Sequence, residues 1–119
     1  MKEMTIKECY DVFGGDYNAV LSRLMTEGLV KKFLLKFPQD GSYDLLIKSL
    51  DEGNYEEAFR AAHTIKGICQ NLGIESLLAS VSPLTEELRD GKGNFSSELL
   101  DKVKEDYRAA VSAVNTIDV

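Results

Sequence analysis

The sequence predicts an all-α fold: an antiparallel four-helix bundle with short additional helices at the N-terminus. Three observations lead there. Apolar residues recur at i, i+3, i+4 and i+7 spacing in several separate stretches. No convincing period-2 segment is present. Only two prolines, Pro38 and Pro83, interrupt 119 residues. Each apolar stripe is one helix face that must be buried, and short loops make successive helices antiparallel neighbours.

The elements follow in order from stripes and caps. Gly14-Gly15 ends a short helix that begins near Thr5, and Asp16 caps a second one running to about Met25. These short helices occupy about residues 5–25, ahead of a core bundle over about 26–116. Thr26 caps the next helix, whose stripe is Val30, Phe33, Leu34 and Phe37, and Pro38 closes it. Ser42 starts a helix with Tyr43, Leu46, Ile47 and Leu50 inward, ended by Gly53. Asn54 with Glu57 resembles a capping box for a long helix that ends at Leu72, with Gly73 as its left-handed terminator. Glu75 or Ser76 opens a helix carrying Leu77, Val81, Leu84 and Leu88. Pro83 removes a backbone donor there and is expected to kink or break it. Asp90-Gly91-Lys92-Gly93 is a turn, and Asn94 or Ser96 caps the final helix, with Leu100, Val103, Tyr107, Ala110 and Val114 inward. Residues 116–119 are expected to fray. No linker, repeat or low-complexity tract divides the chain, so residues 1–119 read as one domain.

Charge and composition exclude several function classes. Fourteen basic against twenty acidic residues give a net charge of −6, and no long basic run offers a nucleic-acid footprint. Acidic membranes are equally poor partners. No apolar stretch approaches the roughly 20 residues of a membrane-spanning helix, and the N-terminus lacks a secretory signal. The two cysteines, Cys9 and Cys69, are far apart and read as reduced thiols in a cytoplasmic protein. With one histidine, the chain alone cannot build a multi-histidine metal site, so no metal is expected. No Gly-rich phosphate loop or kinase ATP motif is present.

One helix face carries chemistry. His63 lies mid-helix, and Phe59, Arg60, Lys66, Gly67 and Gln70 fall within about 60° of it around the helix axis. The stripe of Ala58, Ala61, Ile65, Ile68 and Leu72 lies opposite, so His63 is expected to face solvent. A mid-helix glycine costs about 1 kcal/mol relative to alanine, yet Gly67 stands one turn from the histidine, where a side chain would crowd the imidazole. Lys66 is within reach of a group attached to the ring. A cation beside an imidazole favours its neutral, nucleophilic form and stabilises an arriving phosphoryl group. Phe59 has two readings, a docking aromatic or a ring tucked under the N-terminal helices. Arg60 is expected to pair with Glu56 or Glu57. Cys69 reads as core; it lies too far around the helix from His63 to form a nucleophilic pair.

Ala62-His63-Thr64-Ile65-Lys66-Gly67-Ile68-Cys69-Gln70-Asn71-Leu72-Gly73 resembles the signature of the histidine-containing phosphotransfer family. That signature combines an Ala-His pair, an aliphatic residue, a Lys-Gly pair, a small residue and an aliphatic residue followed by glycine. Cys69 is a slightly unusual occupant of the small position. The resemblance implies a phosphorelay intermediate in two-component signalling that has no kinase activity of its own. His63 would be the phosphoacceptor, Lys66 would neutralise phosphoryl charge, and Gly67 would leave steric room. Phe59, Arg60, Gln70 and Asn71 would form the docking face. The implied partners are a response-regulator receiver domain and a hybrid or sensor histidine kinase. Mg²⁺ would be supplied by the receiver, and the chain would need no cofactor and act as a monomer. One position departs from the family: Thr85, with Glu86 beside it, stands where several members carry a glutamine that orients the histidine ring. A competing reading is a docking module that binds a receiver or kinase through the same face without carrying phosphate.

Overall fold

The computed structural model describes residues 4–117. It contains seven α-helices: α1 Ile6–Phe13, α2 Tyr17–Leu24, α3 Glu27–Lys36, α4 Ser42–Asp51, α5 Tyr55–Leu72, α6 Glu75–Leu88 and α7 Ser97–Asn115. Among the described residues the only extended pairing is an isolated bridge between Met4 and Ile117. The fold is all-α, as the periodicity requires.

α4, α5, α6 and α7 pack in sequence, each against the next. Their short connections make neighbours antiparallel. The loop between α5 and α6 is only Gly73 and Ile74, with Gly73 in the left-handed region at φ 69°. α4 and α7 meet through Tyr43 and Tyr107, whose rings stack 3.7 Å apart and 3° from parallel, with Phe37 tilted against Tyr107. Leu46, Ala58, Ala61, Ile65, Leu77, Val81, Leu84, Val103 and Ala110 fill the interior.

The caps explain most boundaries. Side chains of Thr5, Asp16, Thr26, Asn54 and Ser96 each accept the backbone N–H of the residue three further on. These bonds satisfy donors that a helix start leaves without partners. The full reciprocal capping box falls at Thr5–Glu8, where Glu8 Oε1 also accepts from the Thr5 amide. At Asn54 only half of the expected box forms. The Glu57 carboxylate turns to Arg60 instead, and the Asn54 amide donates to the Ser49 carbonyl.

Other expectations change. The short N-terminal helices add buried side chains to the core. α1 buries Ile6, Cys9, Tyr10 and Phe13 against α7 and α6. The Tyr10 hydroxyl donates to the Leu72 carbonyl at 2.6 Å, and the Cys9 thiol donates to the Ala113 carbonyl at 3.3 Å. Pro83 does not interrupt α6, which runs unbroken to Leu88. The carbonyl that Pro83 leaves without an i+4 donor belongs to Ala79, an exposed residue that water can reach. α3 does end just before Pro38, at Lys36, and Pro38 itself sits inside a 3₁₀ turn over Phe37–Gln39. The expected fraying does not extend to residues 116 and 117. The Thr116 carbonyl accepts from the Met4 amide at 2.9 Å, and Ile117 is buried. Residues 118 and 119, part of the same expectation, lie outside the described residues.

Candidate functional site

α5 is amphipathic, and its two faces divide cleanly. Ala58, Ala61, Ala62, Ile65, Cys69 and Leu72 are buried. His63, Thr64, Gly67, Gln70 and Asn71 are exposed, and Phe59 and Lys66 are half-buried. Glu56 and Glu57 occupy the first turn, where carboxylates complement the positive end of the helix dipole. Arg60 forms a 2.9 Å ion pair with Glu57, as i, i+3 spacing predicts.

The imidazole of His63 stands open to solvent. Its ring contact is with Phe59, centroids 5.9 Å apart and tilted by 50°. Among the described residues, Lys66 forms no ion pair, so its ammonium is uncommitted on this face. A β-carbon built on Gly67 would meet no atom within 4 Å, and no positive φ demands glycine there. This refines the sequence expectation. An alanine at 67 would not itself touch the imidazole, so the room Gly67 leaves lies outside the molecule's own packing.

Phe59 turns toward α6, not toward the N-terminal helices. The guanidinium of Arg89 lies over its ring, 5.0 Å from the centroid. Glu86 holds that guanidinium with both carboxylate oxygens, each at 2.9 Å. Its carboxyl is held below the usual range by the Arg89 hydrogen bond first. The charges of Arg89, Lys66 and His63 act in the same direction. A shallow cleft of about 270 Å³ opens beside the pair, lined by Glu56, Phe59, Arg60, Arg89, Asp90 and Gly91.

The residues expected to orient the histidine do not bond to it. Thr85 is fully buried, and its hydroxyl donates back along α6 to the Val81 carbonyl at 2.7 Å. Glu86 spends its hydrogen-bonding oxygens on Arg89. At the C-terminal end of α5, the Arg23 side chain from α2 donates to the carbonyls of Gln70 and Asn71, at 3.2 and 2.7 Å. Sequence reasoning named neither Arg23 nor Arg89. The Glu86/Arg89 spacing does announce an ion pair. Its placement over Phe59 depends on the register of α6 against α5, which no local pattern carries.

Among the described residues, no group of three or more His, Cys, Asp or Glu side chains is placed to hold a metal ion. No helix among them is long and apolar enough to cross a membrane.

An all-α bundle with a solvent-facing histidine, and with lysine and glycine on the same helix, is the arrangement that the resemblance to histidine phosphotransfer proteins leads one to expect. The chain belongs to the Hpt domain family, whose model matches residues 29–114. That match spans α4 to α6 whole, most of α3 and nearly all of α7, and leaves α1 and α2 outside it. Membership places the chain in histidine phosphotransfer within phosphorelay signalling, a process that joins receiver domains and histidine kinases. Neither the curated proteins nor the solved structures compared with this chain give a match.

Proposed function

We propose that this chain is a cytoplasmic, monomeric phosphorelay intermediate that carries a phosphoryl group on His63. The donor is a hybrid or sensor histidine kinase or a receiver-domain aspartate, and the acceptor is the aspartate of another receiver. In transfer from a receiver, the Nε2 lone pair attacks the phosphorus of the aspartyl phosphate. The P–O bond to the aspartate breaks, and the carboxylate leaves with its electron pair. Mg²⁺ held by the receiver neutralises charge on its own side. Lys66 does so from α5, where preorganised charge acts at the place where it develops.

The observation that carries this reading is the open space at Gly67 beside the exposed His63 ring. Packing gives no reason for a glycine there, whereas a phosphorylated ring approaching an aspartate pocket needs a bare helix surface. Phe59, Arg60, Gln70 and Asn71 surround that surface and supply the docking face. The Gly67, Lys66 and His63 set supports a relay over a docking module, which would need the face but not the nucleophile.

The test is incubation of the chain with receiver domains carrying radiolabelled aspartyl phosphate and Mg²⁺, with His63→Gln as control. Acid-labile label on the wild type and none on the variant is the expected result. Receiver binding without label on the wild type would establish the docking module instead.

A further inference from the structure

We propose that Arg89 is a positioning residue for phosphoryl transfer: it fixes the Phe59 ring against His63, and this tilted aromatic contact rather than a hydrogen bond from α6 orients the imidazole. The inference rests on the relay reading and adds a residue to it.

Four contacts form one chain across two helices. Glu86 grips Arg89 with two hydrogen bonds of 2.9 Å, which fixes the plane of the guanidinium. Its Cζ lies 5.0 Å from the Phe59 centroid, in cation–π range. Phe59 in turn stands 5.9 Å from the His63 ring. Among the described residues no side chain bonds to either imidazole nitrogen, and Thr85 is turned away into the core. The aromatic contact is therefore what the fold offers to limit rotation of the His63 ring.

Phe59 is only half-buried, and without Arg89 over it the ring would be freer to change rotamer and carry that freedom to the imidazole. The clamp draws on both partners of the ion pair. A lysine at 89 would keep the charge over the ring but lose the planar two-pronged grip. Charge at Glu86 has a second consequence. The carboxylate stands in the field of Lys66 and His63, and Arg89 neutralises it there. Without Arg89, Glu86 would compete with an incoming phosphoryl group for Lys66.

The chain has a single histidine, so its ring signals in a two-dimensional ¹H–¹³C or ¹H–¹⁵N spectrum belong to His63 without further assignment. The experiment compares wild type, Arg89→Gln, Arg89→Lys and Glu86→Gln. It reads those ring signals in the protein alone and the single-turnover transfer rate at saturating phosphorylated receiver. In Arg89→Gln the ring signals should lose the upfield contribution of Phe59 and broaden. Transfer should slow by roughly threefold to tenfold, less than the roughly hundredfold that a reacting group misplaced by about 1 Å can cost. Arg89→Lys should recover part of both effects, and Glu86→Gln should fall between. Unchanged ring signals in Arg89→Gln, with the melting temperature also unchanged, would overturn the proposal. So would changed signals with a wild-type transfer rate. Wild type that takes no label from any receiver would instead overturn the relay reading, while the ring signals would still decide whether Arg89 holds the imidazole.

Discussion

Gly15 packs so closely on Gly73 that a β-carbon at position 15 would overlap the Gly73 carbonyl oxygen, with the Tyr10 ring 2.9 Å away on the other side. The start of α2 is thereby set directly on the terminator of α5. The contact is backbone on backbone and has no flexible side chain to yield. Gly15→Ala should destabilise the protein by roughly 1–3 kcal/mol, the range for forced overpacking. Urea denaturation followed by far-UV circular dichroism measures it. A midpoint equal to wild type would show that α1 and α2 can move off the bundle without loss.

Gly67→Ala should do the opposite. The added methyl meets nothing within 4 Å, and the backbone is ordinary helix. Helix propensity then dominates, for a gain of about 0.5–1 kcal/mol. The melting temperature should rise by roughly 3–6 °C. A bulkier change, Gly67→Leu, should leave the fold intact and block transfer to a receiver. Stability gained while transfer is lost would locate the cost of this glycine outside the molecule.

Lys66→Met keeps the apolar stem and removes the charge. Because the ammonium makes no ion pair among the described residues, stability should change by less than about 0.5 kcal/mol. Transfer to His63 should slow on the order of tenfold to a hundredfold, as for loss of one charge stabiliser of a transition state. Single-turnover labelling beside a thermal melt separates the two effects. A variant that transfers at the wild-type rate would remove Lys66 from the site.

The thiols give a pH dependence. Burial pushes Cys9 up to about 11 and Cys69 up to about 12, from 9.0, with Glu8 and Glu75 adding smaller effects in the same direction. Each thiol keeps its proton to higher pH when folded than when unfolded. The stability this confers is complete below pH 9 and is lost as pH rises through the folded values. Burial of Tyr10 acts in the same direction. Denaturation midpoints should therefore hold to about pH 9 and fall beyond it, and Cys69→Ala should flatten part of that fall. Iodoacetamide at pH 8 should label neither cysteine until the protein opens. Rapid labelling of the native protein would contradict the buried placement of both.

Much of this was legible in the sequence because caps and stripes are local. Asp16, Thr26 and Ser96 start the helices that their residue types announce, and Gly14, Gly53 and Gly73 adopt the positive φ that ends one. His63, Gly67 and Gln70 share an exposed face because one helix period fixes their directions. Long-range pairings were not legible. Nothing near Tyr10 announces Leu72, and nothing near Arg23 announces the carbonyls of Gln70 and Asn71. Thr85 shows the same limit from the other side. Its position along α6 is readable, but whether its hydroxyl faces the histidine or its own Val81 carbonyl depends on how α6 is rotated. Arg89 combines both cases, since its ion pair is local and its aromatic partner is on another helix.

The bond between Met4 and Thr116 brings the two ends of the described chain together, making the domain close to a ring cut at one point. Joining the ends through a short flexible linker and reopening the ring at the exposed Lys92 in the turn after α6 would preserve every helix. Turns of this kind, and chain ends that lie close together, are where circular permutation is tolerated. A chain able to tolerate that rearrangement could equally be seated inside a loop of another protein, entering and leaving through one narrow attachment.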